Sequence, residues 1–302
     1  MGQCLTETNL WSGIPPPPNP SSQEEGLKRG KSPRFRLAFL PENPHIAAMA
    51  PPPPSIIRVI DLETTGDKPP VHAVCEIGWQ DVALGPDGRW ELQGEGGNRL
   101  VNPGRGIPPL TMAIHHIRDE DVADAPYWHD VARPILDPWP RRVALAAHRA
   151  SFEEQFCTPA LTRGADWICT WKCALRLWPD SPGFSNQMLR YWRRPEGMEH
   201  ERGLPAHRAF PDAYVTAFHL RDMLNQASVA QLIEWSSQPG LLPRVRYGPD
   251  RGKEWSEISE DSLEGFLTDR DEDVRFTAET ELSRRRGGAP VGRGGATQRL
   301  LF

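Results

Sequence analysis

The sequence predicts an α/β fold, a mixed sheet flanked by helices, with a small C-terminal module and a Pro-rich N-terminal extension. Three observations carry this. A β-branched run, Ile56, Ile57, Val59 and Ile60, ends in carboxylates, as a buried central strand does. Two more strand-like segments follow it directly, bounded by turn residues. Beyond residue 110, helical periodicity alternates with short apolar strands.

In order, Val74 to Leu84 reads as the second strand, closed by Gly85-Pro86-Asp87-Gly88. Trp90 to Val101 reads as the third, weakened by Gly94, Gly96 and Gly97. Helical pattern is expected over 111–124 and 127–137, and Val143 to Ala147 fits a short buried strand. A helix capped by Ser151, with Glu154 at the capping-box position, should follow. Trp167 to Thr170 fits another strand, and helices are expected near 171–178, 185–193 and 211–225. In the last, Pro211 suits the first helical position and puts Asp212 in the first turn. Thus 55–228 form one domain. After the break Ser236-Ser237-Gln238-Pro239-Gly240, a small unit over 240–286 contains a helical section near 260–283.

The ends differ in composition. Twelve of the 32 prolines lie before residue 55, and 1–54 are expected to be disordered, since they lack apolar periodicity to offset chain entropy. Met49 precedes the first strand closely, so 1–48 read as an upstream extension from a misplaced start codon, with a basic transit peptide as the weaker alternative. Residues 287–302 read as a flexible basic tail, with no acid after Glu281. No apolar stretch is long enough for a membrane span. A net charge of −5 excludes a uniformly basic coat, but not a site that handles phosphates through cations held on carboxylates. The five cysteines form no C-x-x-C pair, and they read as buried reduced thiols of a cytoplasmic protein.

Three segments carry candidate chemistry. Asp61 and Glu63, at i and i+2 on a strand end, leave the same face, and hard oxygen ligands suit Mg²⁺ or Mn²⁺. Alone, such a pair is more often solvated and idle. In Ala147 to Phe156, Phe152 and Phe156 pin a helical face, with Glu153 and Glu154 beside it. Taken alone, both acids read as solvated. In His207 to Leu220, His207 stands on the approach to Asp212; alone it would be a capping or surface residue.

Together the segments resemble the DEDDh 3′→5′ exonucleases of the ribonuclease H-like fold. That family shows D-x-E, then H-N-A-x-F-D, then H-x-x-x-x-D; here these read DLE at 61–63, HRASFE at 148–153 and HRAFPD at 207–212. The resemblance spans about 55–225 and departs twice, with Glu153 in place of an aspartate and Arg149 in place of an asparagine. It implies two-metal phosphodiester hydrolysis. Asp61 would bridge two ions, Mg²⁺ or Mn²⁺. Glu63 and Asp212 would complete the site of the nucleophile's ion, Glu153 would support the second ion, and His207 would be the general base. Thr64, Thr65, His148 and Phe152 are the implied substrate-binding residues.

Leu242 to Leu267 and Asp271 to Leu282 resemble the small module appended to the exonuclease X type of this family. Pro249 stands where that module has a lysine, and Arg244, Arg246 and Arg251 are the candidate replacements. Ser185 to Arg194 also resembles that type. It offers Arg190, Arg193 and Arg194 near Trp192 as a single-strand stacking surface, against a buried Trp192. The resemblance implies an exodeoxyribonuclease of DNA repair acting on single-stranded 3′ ends of DNA, with RNA open. The alternatives are a polymerase proofreading subunit, an exoribonuclease, or a nucleic-acid-binding module catalytically weakened at Glu153.

Overall fold

The computed structural model describes residues 55–287. The expected Pro-rich extension (1–54) and the basic tail beyond residue 287 lie outside the described residues. Five strands form one sheet: β1 (Ile56–Thr64), β2 (Val74–Leu84), β3 (Trp90–Leu100), β4 (Ala144–Ala147) and β5 (Trp167–Cys169), in the order β3-β2-β1-β4-β5. The β1–β2 and β2–β3 pairs are antiparallel, whereas β1–β4 and β4–β5 are parallel. β1 is therefore central. Each of its residues is buried except Asp61 and Glu63.

Helices cover both faces. The chain forms α1 (Pro109–His115), α2 (Asp119–Val122), α3 (Trp128–Leu136), α4 (Glu153–Phe156), α5 (Pro159–Thr162), α6 (Thr170–Leu177), α7 (Asn186–Arg193) and α8 (Ala209–Leu224), and Ile57 and Val59 pack with Ala213, Ala217 and Leu220 of α8. Ile60 and Leu62, of opposite parity, pack with Ala132 and Leu136 of α3 and with Phe156. Strand alternation thus aims Asp61 and Glu63 at the α8 side. Helix α9 (Val229–Ser237) leads into the C-terminal module with α10 (Glu260–Phe266) and α11 (Glu272–Arg285). Among the described residues, no helix is long and apolar enough to cross a membrane. Cys75, Cys157, Cys169 and Cys173 are buried free thiols.

Several expected elements are corrected. The helix at 111–124 is two helices, because His116 takes a left-handed φ of 60° at the end of α1. A new start then forms where Asp121 accepts the Arg118 backbone N–H at 2.9 Å. The Ser151 cap does not form. Arg149 turns the chain at φ 68°, and the carbonyls of Arg149 and Ala150 accept the N–H groups of Phe152 and Glu154. With those donors satisfied by backbone, a side-chain cap has nothing to bind. α8 begins at Ala209, so Pro211 is its third residue rather than its first. The section at 260–283 is two helices, broken at 267–271, with Asp271 capping the second through the Asp273 N–H.

The C-terminal module shares its core with the sheet edge. Leu242, Val245, Trp255, Leu263, Val274 and Leu282 pack with Ala147, Ala150, Cys169, Trp171 and Leu175. Its linker is held by hydrogen bonds from the Gly240 N–H to Asp273 at 2.6 Å and from the Leu242 N–H to Thr277 at 2.9 Å.

One glycine fixes how closely α8 meets the sheet. Gly78, paired with Asp61 across β1–β2, lies so near the first turn of α8 that a Cβ would sit 2.1 Å from the Ala209 carbonyl carbon. Both sides of that contact are backbone, so neither yields cheaply. Gly78→Ala is expected to destabilise the protein by at least about 2 kcal/mol, as overpacking does. Urea unfolding would check it, and an unchanged midpoint would mean that α8 moves freely.

Candidate active site

Asp61, Glu63 and Asp212 converge at the end of β1, with one carboxylate oxygen from each lying within 4.8 Å of the others. The cause is local. Asp61 and Glu63 leave one face of β1, and α8 starts directly above Gly78 and delivers Asp212 from its first turn.

Asp212 is held firmly. Its Oδ1 accepts from Gln187 Nε2 at 3.0 Å and Asn186 Nδ2 at 3.2 Å, and its Oδ2 accepts the His207 N–H at 2.6 Å. To make the last bond His207 adopts φ 61°, a left-handed conformation uncommon outside glycine but one that histidine visits more than most residues. Its side chain is exposed.

The two neighbouring acids on α4 separate. Glu154 is exposed, whereas Glu153 is 3% exposed and its Oε2 lies buried without a hydrogen-bond partner. Glu153 is therefore not a solvated helix acid. Burial, chiefly, pushes its pKa up to about 8, and the charges of Glu154 and Glu63 add to that. Burial also raises Glu63 to about 8, with further contributions from Asp212 and Glu76 against a lowering by Arg208. Asp61 is raised well above the carboxylate range by burial first, then by Asp212, Glu63, Glu153 and Glu76. These carboxylates resist sharing ionisation near neutrality without a compensating cation. An all-oxygen donor set with one orphaned buried oxygen fits a hard divalent ion.

The other expected residues fall into place as follows. Thr64 and Thr65 are buried, and their hydroxyls serve their own loop: Thr64 donates to the Gly66 carbonyl at 2.8 Å, and Thr65 accepts the Ala73 N–H at 3.1 Å. His148 contacts the Phe184 carbonyl through Nε2 at 2.8 Å and the Thr170 hydroxyl through Nδ1 at 3.0 Å. A carbonyl can only accept, so Nε2 carries the proton and Nδ1 accepts in the neutral ring. Burial, together with the His219 charge, depresses its pKa to about 3. Both nitrogens are engaged, and the ring ties the β4–α4 loop to α6. Phe152 is half-buried against Phe156, with ring centroids 5.4 Å apart.

The Ser185 to Arg194 segment is corrected. Arg190 is buried and donates to the carbonyls of Gly203 and His200, both at 2.6 Å. Arg193 lies 3.9 Å over the Trp178 ring and pairs with Asp222. Trp192 is exposed rather than buried. In the C-terminal module, Arg244 pairs with Glu254, and Arg246 with Asp271.

Sequence reading missed Glu76. Fully buried on β2 opposite Glu63, it accepts from Arg208 Nη2 at 2.7 Å, Arg208 Nε at 2.9 Å, the Ala209 N–H at 3.1 Å and Asn98 Nδ2 at 2.6 Å. It fastens the start of α8 to the sheet. Asn186 and Gln187, which orient Asp212, were missed as well. The available signal was a charged residue, Glu76, inside the apolar run Val74 to Gly78.

The Exonuclease family model matches residues 59–218. Exodeoxyribonuclease 10 of Escherichia coli K12 is 35% identical over 208 residues, covering 68% of this chain and 86% of that protein. The DNA polymerase III subunit epsilon of Pasteurella multocida is 29% identical over 103 residues, 32% of this chain and 38% of that one. A solved structure of exonuclease X in complex with 5′-overhanging duplex DNA superposes with a TM-score of 0.50 at 32% identity, over 60% of this chain and 99% of that one. The chain belongs to the exonuclease family. Within it, the protein is a metal-dependent 3′→5′ exonuclease of the DEDDh type, similar to exonuclease X.

The Glu76 anchor makes a testable statement about stability. Its hydrogen bonds hold its pKa below the ordinary 4.5 against the opposing effect of burial. The ionised group therefore contributes stability in full above pH 4.5, and that contribution is lost as pH falls through the lower folded-state value. Glu76→Gln is expected to cost about 3 kcal/mol at pH 7 by leaving Arg208 unpaired. The gap to wild type should narrow as pH drops below 4.5. Urea unfolding of both proteins across that range checks it, and a gap independent of pH would show that Glu76 is not ionised in the fold.

Proposed function

We propose that this chain is a 3′→5′ exodeoxyribonuclease that trims single-stranded 3′ ends of DNA by a two-metal mechanism, acting in DNA repair in the cytoplasm. The observation that carries the proposal is the carboxylate cluster: Asp61, Glu63 and Asp212 within ligand distance of one another, with Glu153 buried beside them. DNA as substrate follows the name of the exodeoxyribonuclease 10 relative.

Asp61, Glu63 and Asp212 would hold one divalent ion, and Asp61 with Glu153 a second. Bound there, such ions supply neutralisation of charge at the attacking and leaving oxygens. His207 takes the proton of the attacking water at its imidazole. The water oxygen bonds to phosphorus as the P–O3′ bond breaks, which releases a nucleoside 5′-monophosphate and leaves a new 3′-hydroxyl. Asn186 and Gln187 keep Asp212 aimed at the cluster. The loop of Thr64 and Thr65 borders the place of the terminal nucleotide, as does Phe152, and His148 shapes that wall from behind. The exonuclease domain (55–228) carries the chemistry, and the module at 240–286 extends it.

Asp61→Ala and Asp212→Ala are each expected to lower cleavage of 5′-labelled single-stranded DNA by more than about 10²-fold, since each removes several kcal/mol of charge stabilisation. The thermal stabilisation that added Mn²⁺ gives the wild type should also vanish in both. Near wild-type turnover in either variant would overturn the metal-site assignment.

Glu153 tests the second ion. Its carboxylate reaches one methylene further than an aspartate, and Mg²⁺ demands near-ideal octahedral geometry. The wild type should therefore show a larger Mn²⁺/Mg²⁺ rate ratio than Glu153→Asp. Glu153→Ala should lose on the order of 10²-fold with both ions, and Glu154→Ala should be nearly silent. Single-turnover cleavage by the four proteins with each ion decides it. Equal, mild effects of the two alanine changes would favour the weakened nucleic-acid-binding reading.

A further inference from the structure

A cleft of about 390 Å³ lies where the C-terminal module meets the sheet edge. Resting on the nuclease reading above, we infer that this cleft is a subsite for one nucleobase of the substrate strand, upstream of the scissile phosphate, with the Arg149 guanidinium as its stacking plane.

Phe152 lines the cleft, and the next residue, Glu153, buries its carboxylate beside the metal cluster. The short helix α4 therefore has the cluster on one side and the cleft on the other, and a strand leaving the cluster meets the cleft next. Arg149, on the same loop, is exposed at φ 68°, with its guanidinium 4.3 Å from the Trp171 ring centroid. Trp171 is buried beneath it among residues of the module, so one face of the guanidinium is fixed and the other is open. No carboxylate lies within 4 Å of Arg149 in an ion pair among the described residues. A planar cation held on an indole is a stacking surface for a base.

The remaining lining decides between base and phosphate. Lys172 stands on the nuclease side, but its ammonium is engaged by the Ser236 carbonyl at 2.8 Å. The opposite wall carries Gln238, Glu272 and Asp273. Gln238 Oε1 accepts from Arg176 Nη2 at 2.9 Å and Asp273 Oδ1 accepts the Gly240 N–H at 2.6 Å, so both groups serve the fold, and the Asp273 carboxylate disfavours a phosphate more than a neutral base. The flat Arg149 guanidinium facing that wall suits a neutral planar ligand. The module supplies that wall, so the substrate surface is incomplete without it. Gly240 keeps the linker against Trp171: a Cβ there would lie 2.9 Å from the indole and from Leu175.

The experiment reads KM on a 5′-labelled oligothymidylate and on copies with one abasic unit at successive positions from the 3′ end. Arg149→Ala should raise KM about tenfold on the intact oligonucleotide, in the range of a lost base-stacking contact. Arg149→Lys should fail to restore it, since lysine keeps the charge but not the plane. For the wild type, one abasic position should reproduce the rise, and on that substrate wild type and Arg149→Ala should converge. Three results would overturn the inference: an unchanged KM for Arg149→Ala, restoration by Arg149→Lys (which assigns Arg149 to a backbone phosphate), or a penalty indifferent to abasic position. The p-nitrophenyl ester of thymidine 5′-monophosphate has no upstream nucleotide. Its hydrolysis by wild type, together with any of those three results, removes the cleft subsite alone. No hydrolysis of ester or oligonucleotide with either metal removes the nuclease reading as well.

Discussion

The seating of one helix end on one strand decides whether this site exists. Asp61 and Glu63 are fixed by the pleat of β1, which any buried strand would provide. Asp212 comes from elsewhere, and it arrives only because α8 begins in contact with β2. Gly78 removes the side chain that would hold the two apart, and Glu76 supplies the charge that draws them together. A buried carboxylate receiving four hydrogen bonds is costly to desolvate and costly to break, so the geometry it sets is stiff. Glu76 also stands opposite Glu63 and raises its pKa. The anchor of the site therefore adds to the negative charge that a divalent cation relieves.

That arrangement explains which parts were legible in the sequence. Strands β1, β2 and β3 could be read because hydrophobic runs, turn residues and carboxylates mark their ends. Asp61, Glu63 and Asp212 could be read from spacing and from the family resemblance, and both point to residues the fold brings together. Glu76 could not be read so readily. A charged residue inside an apolar strand looks like a surface position until its partner, Arg208, is known, and that partner lies 132 residues away. Asn186 and Gln187 were hidden for the same reason, since only the packing of α7 against α8 turns them toward Asp212.

The misread local signals share one cause. Ser151 and Glu154 spell a capping box, yet the left-handed turn at Arg149 lets backbone carbonyls satisfy the N–H groups that a cap would serve. The 111–124 pattern spells one helix, yet the left-handed His116 breaks it. Arg190 looked like a surface cation, yet its guanidinium spans two backbone carbonyls in the interior. In each case tertiary or backbone hydrogen bonding outweighed a propensity worth about 1 kcal/mol or less.

Glu153 joins these threads. Its neighbour Glu154, with the same side chain and the same helix, faces solvent, so composition could not have told them apart. What separates them is the Phe152–Phe156 pair, which fixes the helical face against the core and turns Glu153 inward. Once inward, its second oxygen finds no protein donor, although Asp212 a short way off finds three. A buried oxygen that the protein leaves unsatisfied costs stability, whereas Asp212 is fully braced. The asymmetry fits the proposed site, in which Asp212 would be the rigid ligand and Glu153 the one that waits for its cation, with the longer glutamate side chain supplying the reach.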